Sequence, residues 1–248
     1  MEITSTSNEL IKKYAKLQQK KYRTETGMFL LEGYKAIKEA FDFGIKIECI
    51  FAEKSHAGDY AFAKNLITET NSAVLKKLCS TESAPPAVAV AYQKQYNLEQ
   101  FKELSKVILL EGIKDLGNLG TIIRSGVAFG CEGIVLFGDC ADLYNPKCVR
   151  SAVGNLWKIP ICNCNDISEL DRIFQGFHKI ATLPRSNNLL KEFKPQPPIL
   201  VMFGSEADGL SEELIKFSTD TVKIEMKDNV ESLNLAASAS VIMYELFH

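Results

Sequence analysis

The sequence predicts an α/β protein in two parts, a small α/β unit over residues 1–95 and a larger domain over 107–248 with a mostly parallel sheet covered by helices on both faces. Three observations carry this. Short apolar runs alternate with helical periodicities along the whole chain. In the second half the runs "VILLEGI", "GIVLFGD" and "PILVMFG" are apolar almost throughout, as strands buried on both faces are. Between the two series lies the polar stretch "QKQYNLEQFKELSK", which reads as a connector and supplies a linker over 96–106.

The first element is a leading helix. Leu10, Tyr14 and Leu17 fall on one side of it, and Lys12, Lys13, Lys16, Lys20, Lys21 and Arg23 load the other. A basic face of this kind suits a phosphate backbone, but on this feature alone a solvated helix face is the favoured reading. "MFLLE" follows as a strand, 33–43 as a helix and "IKIECIF" as an alternating strand. Helical stretches at 60–66 and 72–79 lead to a last strand in "APPAVAVAY", whose Pro-Pro pair cannot be helical.

In the second part the strands are "VILLEGI", "GIVLFGD", "KIPICN", "KIATLP", "PILVMFG" and "TVKIEM". Helices are predicted near 119–129, 146–156, 167–174, 211–217 and 232–247. In the last of these, Ala236, Ala237, Ser238, Ala239 and Ser240 make an unusually small surface, for which close helix packing, as across a dimer, is the simplest cause.

Composition narrows the function classes. With 46% hydrophobic and 24% charged residues in 248, the chain is globular rather than disordered, and a net charge of −2 gives no global pull toward nucleic acid. The seven cysteines are scattered without a CxxC pair, and His56, His178 and His248 lie far apart. Reduced, buried thiols are expected, with no zinc site and no disulfide framework. The polar, basic N-terminus lacks the apolar core of a signal peptide, and no run approaches the roughly 20 residues of a membrane span, so a cytoplasmic protein is expected.

Ligands of parallel sheets sit beyond the carboxyl ends of the strands. Three loops there are rich in Gly, Ser, Asn and acids: "KDLGNLG", "GSEADGLS" and "KDNVESLN". Glycine lets backbone approach a ligand, and each loop runs into a helix whose first N–H groups are unpaired, a composite pocket suited to an adenosine-like molecule. The GxGxxG fingerprint is absent, because Gly117, Gly120 and Gly126 have the wrong spacing, and GxxxxGK[ST] is absent too.

One arginine stands out in "DLGNLGTIIRSGVAFG". On a helix starting near Asn118, Ile122, Ile123, Val127 and Phe129 form the buried side and Gly126 allows a close approach to the sheet. Arg124 lies off that stripe between Gly120 and Ala128 at i−4 and i+4, with room to reach a ligand; the alternatives are a surface arginine or a partner for Glu111 or Asp115. Glu206 reads either as a site residue or as a cap ahead of "GLSEE", where Ser211 is the competing cap, and Ser232 as the N-cap of the final helix.

Taken together, "DLGNLGTIIRSGVAFG", "YNPKCVRSAVGNLWKIPI", "VMFGSEADGLS" and "IEMKDNVESLNLAASASVIMYE" resemble the ordered motifs of the SpoU (TrmH-type) branch of the SPOUT RNA 2′-O-ribose methyltransferases. Residues 1–95 resemble the ribosomal-protein-like RNA-binding domain that precedes many of these enzymes. The resemblance implies a deep trefoil knot in the C-terminal domain, S-adenosylmethionine as cofactor without a metal, and a homodimer. Matched position by position, it implies catalytic roles for Asn118, Arg124, Glu206, Ser232 and Asn234, and backbone contacts to the cofactor at Gly204, Ile224 and Leu233. Arg124 is then expected to reach substrate close to the dimer interface. Ribosomal RNA of the large subunit is favoured over tRNA. Leu116, Ala152 and Ala207 depart from the Pro, Ser and Gly common at their positions.

The implied reaction is attack of a ribose 2′-hydroxyl on a sulfonium methyl, for which alignment alone supplies roughly 7 to 11 kcal/mol. Guanidinium groups stay protonated in proteins, so Arg124 is expected to grip phosphate and stabilise developing negative charge rather than act as a base. A rival reading keeps the fold as a non-catalytic RNA-binding or ribosome-assembly protein. An unrelated nucleotide-binding oxidoreductase is disfavoured by the missing glycine fingerprint.

Overall fold

The computed structural model describes residues 2–227 and 232–248. The chain divides into two compact units, Met1–Lys94 with Asp142–Trp157, and Gln95–Ala141 with Lys158–His248.

The first unit opens with α1 (Glu9–Ala15), whose first turn is capped by the Asn8 side chain, and α2 (Lys20–Thr26), closed by Gly27 in the left-handed region. Gln19 is extended between them, at φ −99° and ψ 136°, so the expected leading helix is broken in two. The unit continues with β1 (Met28–Glu32), α3 (Tyr34–Asp42), β2 (Ile47–Glu53), β3 (Ile67–Thr70), α4 (Ser72–Leu78) and β4 (Ala87–Tyr92). Its sheet runs β1-β4-β2-β3, with only the β2–β3 pair parallel. Ile11, Tyr14 and Leu17 bury the apolar side of the leading segment against Phe51, Leu78, Val88 and Val90.

Two expectations change here. The helix expected at 60–66 is instead part of a run of 3-10 turns over Lys54–Leu66, broken by non-helical Tyr60 and Ala63, and it feeds the edge strand β3. Arg23, expected on the exposed basic face, is 2% exposed. Its Nε and Nη2 donate to Asp142 at 2.8 and 2.5 Å, and Nη1 donates to the Leu17 carbonyl at 2.7 Å. A guanidinium tolerates burial only with its donors satisfied, and the fold satisfies them here.

Asp142 begins the segment that carries α6 (Pro146–Ala152), entered through Asn145 as cap and a proline in the first turn. Arg150 donates to Glu32 on β1 at 2.9 Å and to the Ser80 hydroxyl at 2.6 Å. The segment then turns through Val153 at φ 47° and ψ 50°, a conformation that a β-branched residue rarely adopts.

The second unit contains β5 (Lys106–Glu111), α5 (Leu116–Ala128), β6 (Gly133–Phe137), β7 (Ile161–Cys164), α7 (Ile167–Ile173), β8 (His178–Thr182), β9 (Ile199–Phe203), α8 (Glu212–Phe217), β10 (Asp220–Val222) and α9 (Leu235–Phe247). The sheet order is β10-β8-β9-β5-β6-β7 and every neighbouring pair is parallel. The strands β6 and β9 are buried at every residue, which explains their unbroken apolar runs. Leu98 and Phe101, from the stretch expected to be a linker, are buried in this unit's core.

Gly126 acts differently from its expected role against the sheet. A Cβ there would meet Cys131 at 3.3 Å and the Met243 sulfur at 3.7 Å, so the glycine admits the following turn and α9. Ser240 of α9 donates to Ser125 of α5 at 2.8 Å, which ties the two helices together. The chain path of the expected knot includes residues 228–231, which lie outside the described residues.

Candidate functional site

The strand order of the second, all-parallel sheet reverses between β5 and β9. From β5 the chain builds outward to β6 and β7, then returns to lay β8 and β9 on the other side. Loops leaving β5 and β9 therefore diverge over a common crevice, the place where parallel α/β sheets bind ligands.

Both loops are shaped by their own residues. After β5, Asp115 caps α5 by accepting from the Asn118 N–H at 2.7 Å, which starts the helix at Leu116 and presents the Asn118 side chain from its first turn. After β9, Ser205 and Gly209 pair their backbones at 3.2 and 3.0 Å, and the Ser205 hydroxyl accepts from the Asp208 N–H at 3.1 Å. Gly209 holds φ +70°, and Gly204 has no room for a side chain, since a Cβ there would stand 1.9 Å from the Gly209 carbonyl carbon. The result is a tight hairpin with Glu206 exposed at its tip.

Three of the expected residues meet. The Asn118 amide donates to Glu206 Oε1 at 2.5 Å, and its carbonyl oxygen accepts from the Asn234 amide at 3.1 Å. Asn234 is held in turn as the N-cap of α9, where its carbonyl oxygen accepts from the Ala236 and Ala237 N–H groups at 2.9 and 3.2 Å. This corrects the expectation that Ser232 caps the helix: two residues upstream of the cap, Ser232 lies exposed outside the helix, which begins at Leu235. The other cap is as expected, with Ser211 accepting from the Leu214 N–H at the start of α8.

Arg124 is exposed on α5 and makes no hydrogen bond or ion pair among the described residues. Of the partners considered for it, Glu111 is engaged elsewhere, accepting from the Ser211 N–H at 2.7 Å and so joining the β5 and β9 loops. Among the described residues, neither Arg124 nor Ser232 is tied to the Asn118 cluster. Gly204 and Glu206 share one hairpin, Ile224 follows β10 half-buried, and Leu233, 42% exposed, precedes the Asn234 cap.

Sequence reading missed Asp115 and Glu111 as organisers. Asp115 was legible from its spacing, three residues ahead of Asn118 at a helix start. Glu111 was not, because its partner is a backbone N–H one hundred positions away.

The arrangement suits ligand handling without protein nucleophiles. Cys140 lies behind the β5 loop with its sulfur against the Leu110 and Phe137 carbonyls, and burial pushes its thiol up, so it stays protonated. Among the described residues no group of three His, Cys, Asp or Glu is placed to hold a metal. A hydrogen-bonded Glu-Asn-Asn chain can orient hydroxyls, and an exposed arginine without a partner among the described residues, further along α5, can grip an anion.

Two family models match the chain in separate segments. Residues 105–244 match the SpoU rRNA Methylase family, and residues 8–89 match the MRM3-like substrate binding domain. An uncharacterized tRNA/rRNA methyltransferase of Synechocystis is 35% identical over 98% of this chain and 92% of its own. The Bacillus subtilis 23S rRNA (guanosine(2553)-2′-O)-methyltransferase RlmP is 28% identical over 99% of this chain and 98% of its own. Among solved structures, the AdoMet-bound rRNA methyltransferase from Sinorhizobium meliloti superposes with a TM-score of 0.90 at 28% identity, covering 99% of this chain and 96% of that one.

Proposed function

We propose a function from one premise: this chain belongs to the SpoU rRNA Methylase family. It is an RNA 2′-O-methyltransferase that uses S-adenosylmethionine, and 23S rRNA is its favoured substrate. The observation that carries the reading is the Glu206–Asn118–Asn234 hydrogen-bonded chain, which binds the β5 loop, the β9 hairpin and the start of α9 into one rim.

When bound, the cofactor supplies an electrophilic sulfonium methyl. The glycine hairpin at Gly204 and the backbone at Ile224 and Leu233 are the groups that would hold it. The rim then positions the ribose, and alignment is the main contribution a protein can make to a displacement at carbon. Arg124, charged and without a protein partner among the described residues, is free to take a flanking phosphate and to stabilise negative charge growing on the 2′-oxygen. Ser232, exposed two residues before the Asn234 cap, would supply a hydroxyl to the ribose or to Arg124.

The active form is a homodimer built on α9. Val241 and Tyr244 are 46% and 58% exposed on that helix, and exposed apolar side chains next to one another mark an association surface. A two-fold contact there brings α5, which α9 packs against, close to its copy, and Arg124 with it.

The test is methyl transfer from labelled S-adenosylmethionine to large-subunit rRNA isolated from cells lacking the gene. Methylated ribose resists alkaline cleavage at one nucleotide, so a single protected position is the expected result. Cofactor binding without incorporation into that RNA would overturn the assignment of substrate.

A further inference from the structure

We infer that the groove between α1 and α2 binds an unpaired RNA nucleotide, with Tyr22 as its stacking face and Lys12, Lys13 and Lys16 as grips for the adjoining phosphates. The inference rests on the reading that the substrate is RNA.

The groove exists because the leading helix breaks. Extended Gln19 redirects the chain, so that α2 folds back toward α1 instead of prolonging it. A cavity of about 300 Å³ results, near the lower end of the range for small-molecule sites. Its floor includes Tyr14, Leu17 and Met28, and its rim includes the three lysines and Tyr22. Tyr14 and Leu17 are buried with core on their far side, so the floor is rigid.

Charge on the rim is one-sided. Among the described residues Glu9 is the one acid lining the cavity and is occupied by Lys12 at 2.8 Å, while Lys13 and Lys16 make no ion pair. Both lie over aromatic rings instead, Lys13 at 5.5 Å from the Tyr14 centroid and Lys16 at 5.3 Å from that of Tyr22. Lys21 approaches Tyr22 as well, at 5.8 Å. Tyr22 is half-buried, and its hydroxyl has no hydrogen-bond partner among the described residues.

A half-buried aromatic ring attended by flexible ammonium groups is the composition that single-stranded nucleic acid requires. Each base offers a π-face to the ring, and each phosphate takes a lysine that leaves the ring when the base arrives. A duplex keeps its bases stacked on one another and has none to offer, so the groove selects loops, bulges and strand ends.

The experiment measures binding of the full-length protein to a short fluorescent oligouridylate and to a blunt RNA duplex, without cofactor, over a range of potassium chloride concentrations. Tyr22→Ala should weaken the single strand by about fivefold to a hundredfold and leave the duplex unchanged. Tyr22→Phe should bind as the wild type does, because it keeps the ring. Lys13→Gln with Lys16→Gln should flatten the salt dependence by about 0.7 logarithmic units per lysine. Wild-type affinity in Tyr22→Ala, an equal loss for the duplex, or an equal loss in Tyr22→Phe each overturns the inference. Because no methyl donor is present, failure of the catalytic reading leaves this pattern intact, and S-adenosylmethionine binding by Tyr22→Ala reports that the variant is folded.

Discussion

Asn118 and Glu206 are joined at 2.5 Å across 88 positions of sequence, one from the first turn of α5 and the other from the tip of the β9 hairpin. Because Asn118 also accepts from Asn234, a single amide uses both its ends to hold three loops in register.

Asn118→Asp therefore removes a donor and sets a second carboxylate against Glu206. Turnover should fall about 100-fold or more, as when a preorganised donor is lost, while the thermal midpoint changes little at this partly exposed position. Steady-state kinetics on unmodified rRNA, paired with a melting curve, separates the two effects. Near-normal turnover would show that the amide's orientation is irrelevant.

Arg124 has no structural partner among the described residues to lose, so Arg124→Ala should leave stability within about 0.5 kcal/mol of the wild type and abolish methyl transfer. Arg124→Lys keeps the charge without the fork. If the role is bidentate, lysine should recover only a small part of the activity. Normal turnover with lysine would reduce the role to a point charge.

At Gly204 even alanine drives a methyl group to within 1.9 Å of the Gly209 backbone. Gly204→Ala should open the hairpin, cost about 1–3 kcal/mol in urea unfolding, and abolish cofactor binding in calorimetry. Unchanged cofactor affinity would place that pocket elsewhere.

Replacing both exposed apolar residues of α9, as Val241→Glu with Tyr244→Glu, should yield a folded monomer in sedimentation equilibrium. A dimer that survives the double change uses another surface.

The thiols of Cys131, Cys148 and Cys162 are pushed up to about 12 by burial. An unfolded chain ionises its thiols near about pH 8.5 while the fold keeps them protonated, so stability is complete below that pH and declines as the pH climbs toward 12. The slope is on the order of 1 kcal/mol per pH unit for each thiol. Urea midpoints compared near about pH 8 and about pH 10 should fall. In the native state these cysteines should also resist aromatic disulfide reagents at neutral pH.

Much of this was written into the chain locally. Apolar runs marked β5, β6 and β9, helical spacing marked α5 and α9, and the glycine-rich loops were read at the correct sheet edge, because each signal acts over a few residues. What escaped local reading depended on distant partners. Arg23 looks like its exposed lysine neighbours until Asp142 meets it, and β3 is too short and polar to announce itself without β2 beside it.

The cap of α9 is Asn234 rather than Ser232, and the amide nitrogen that the cap leaves over donates to Asn118, a partner 116 positions away. By itself, then, the sequence determined most of the strands and helices of the second unit and the composition of the loops between them. Only the tertiary structure decided which loops meet, since strand order β10-β8-β9-β5-β6-β7 is set by burial of whole faces and not by any local preference, and the site exists where that order reverses.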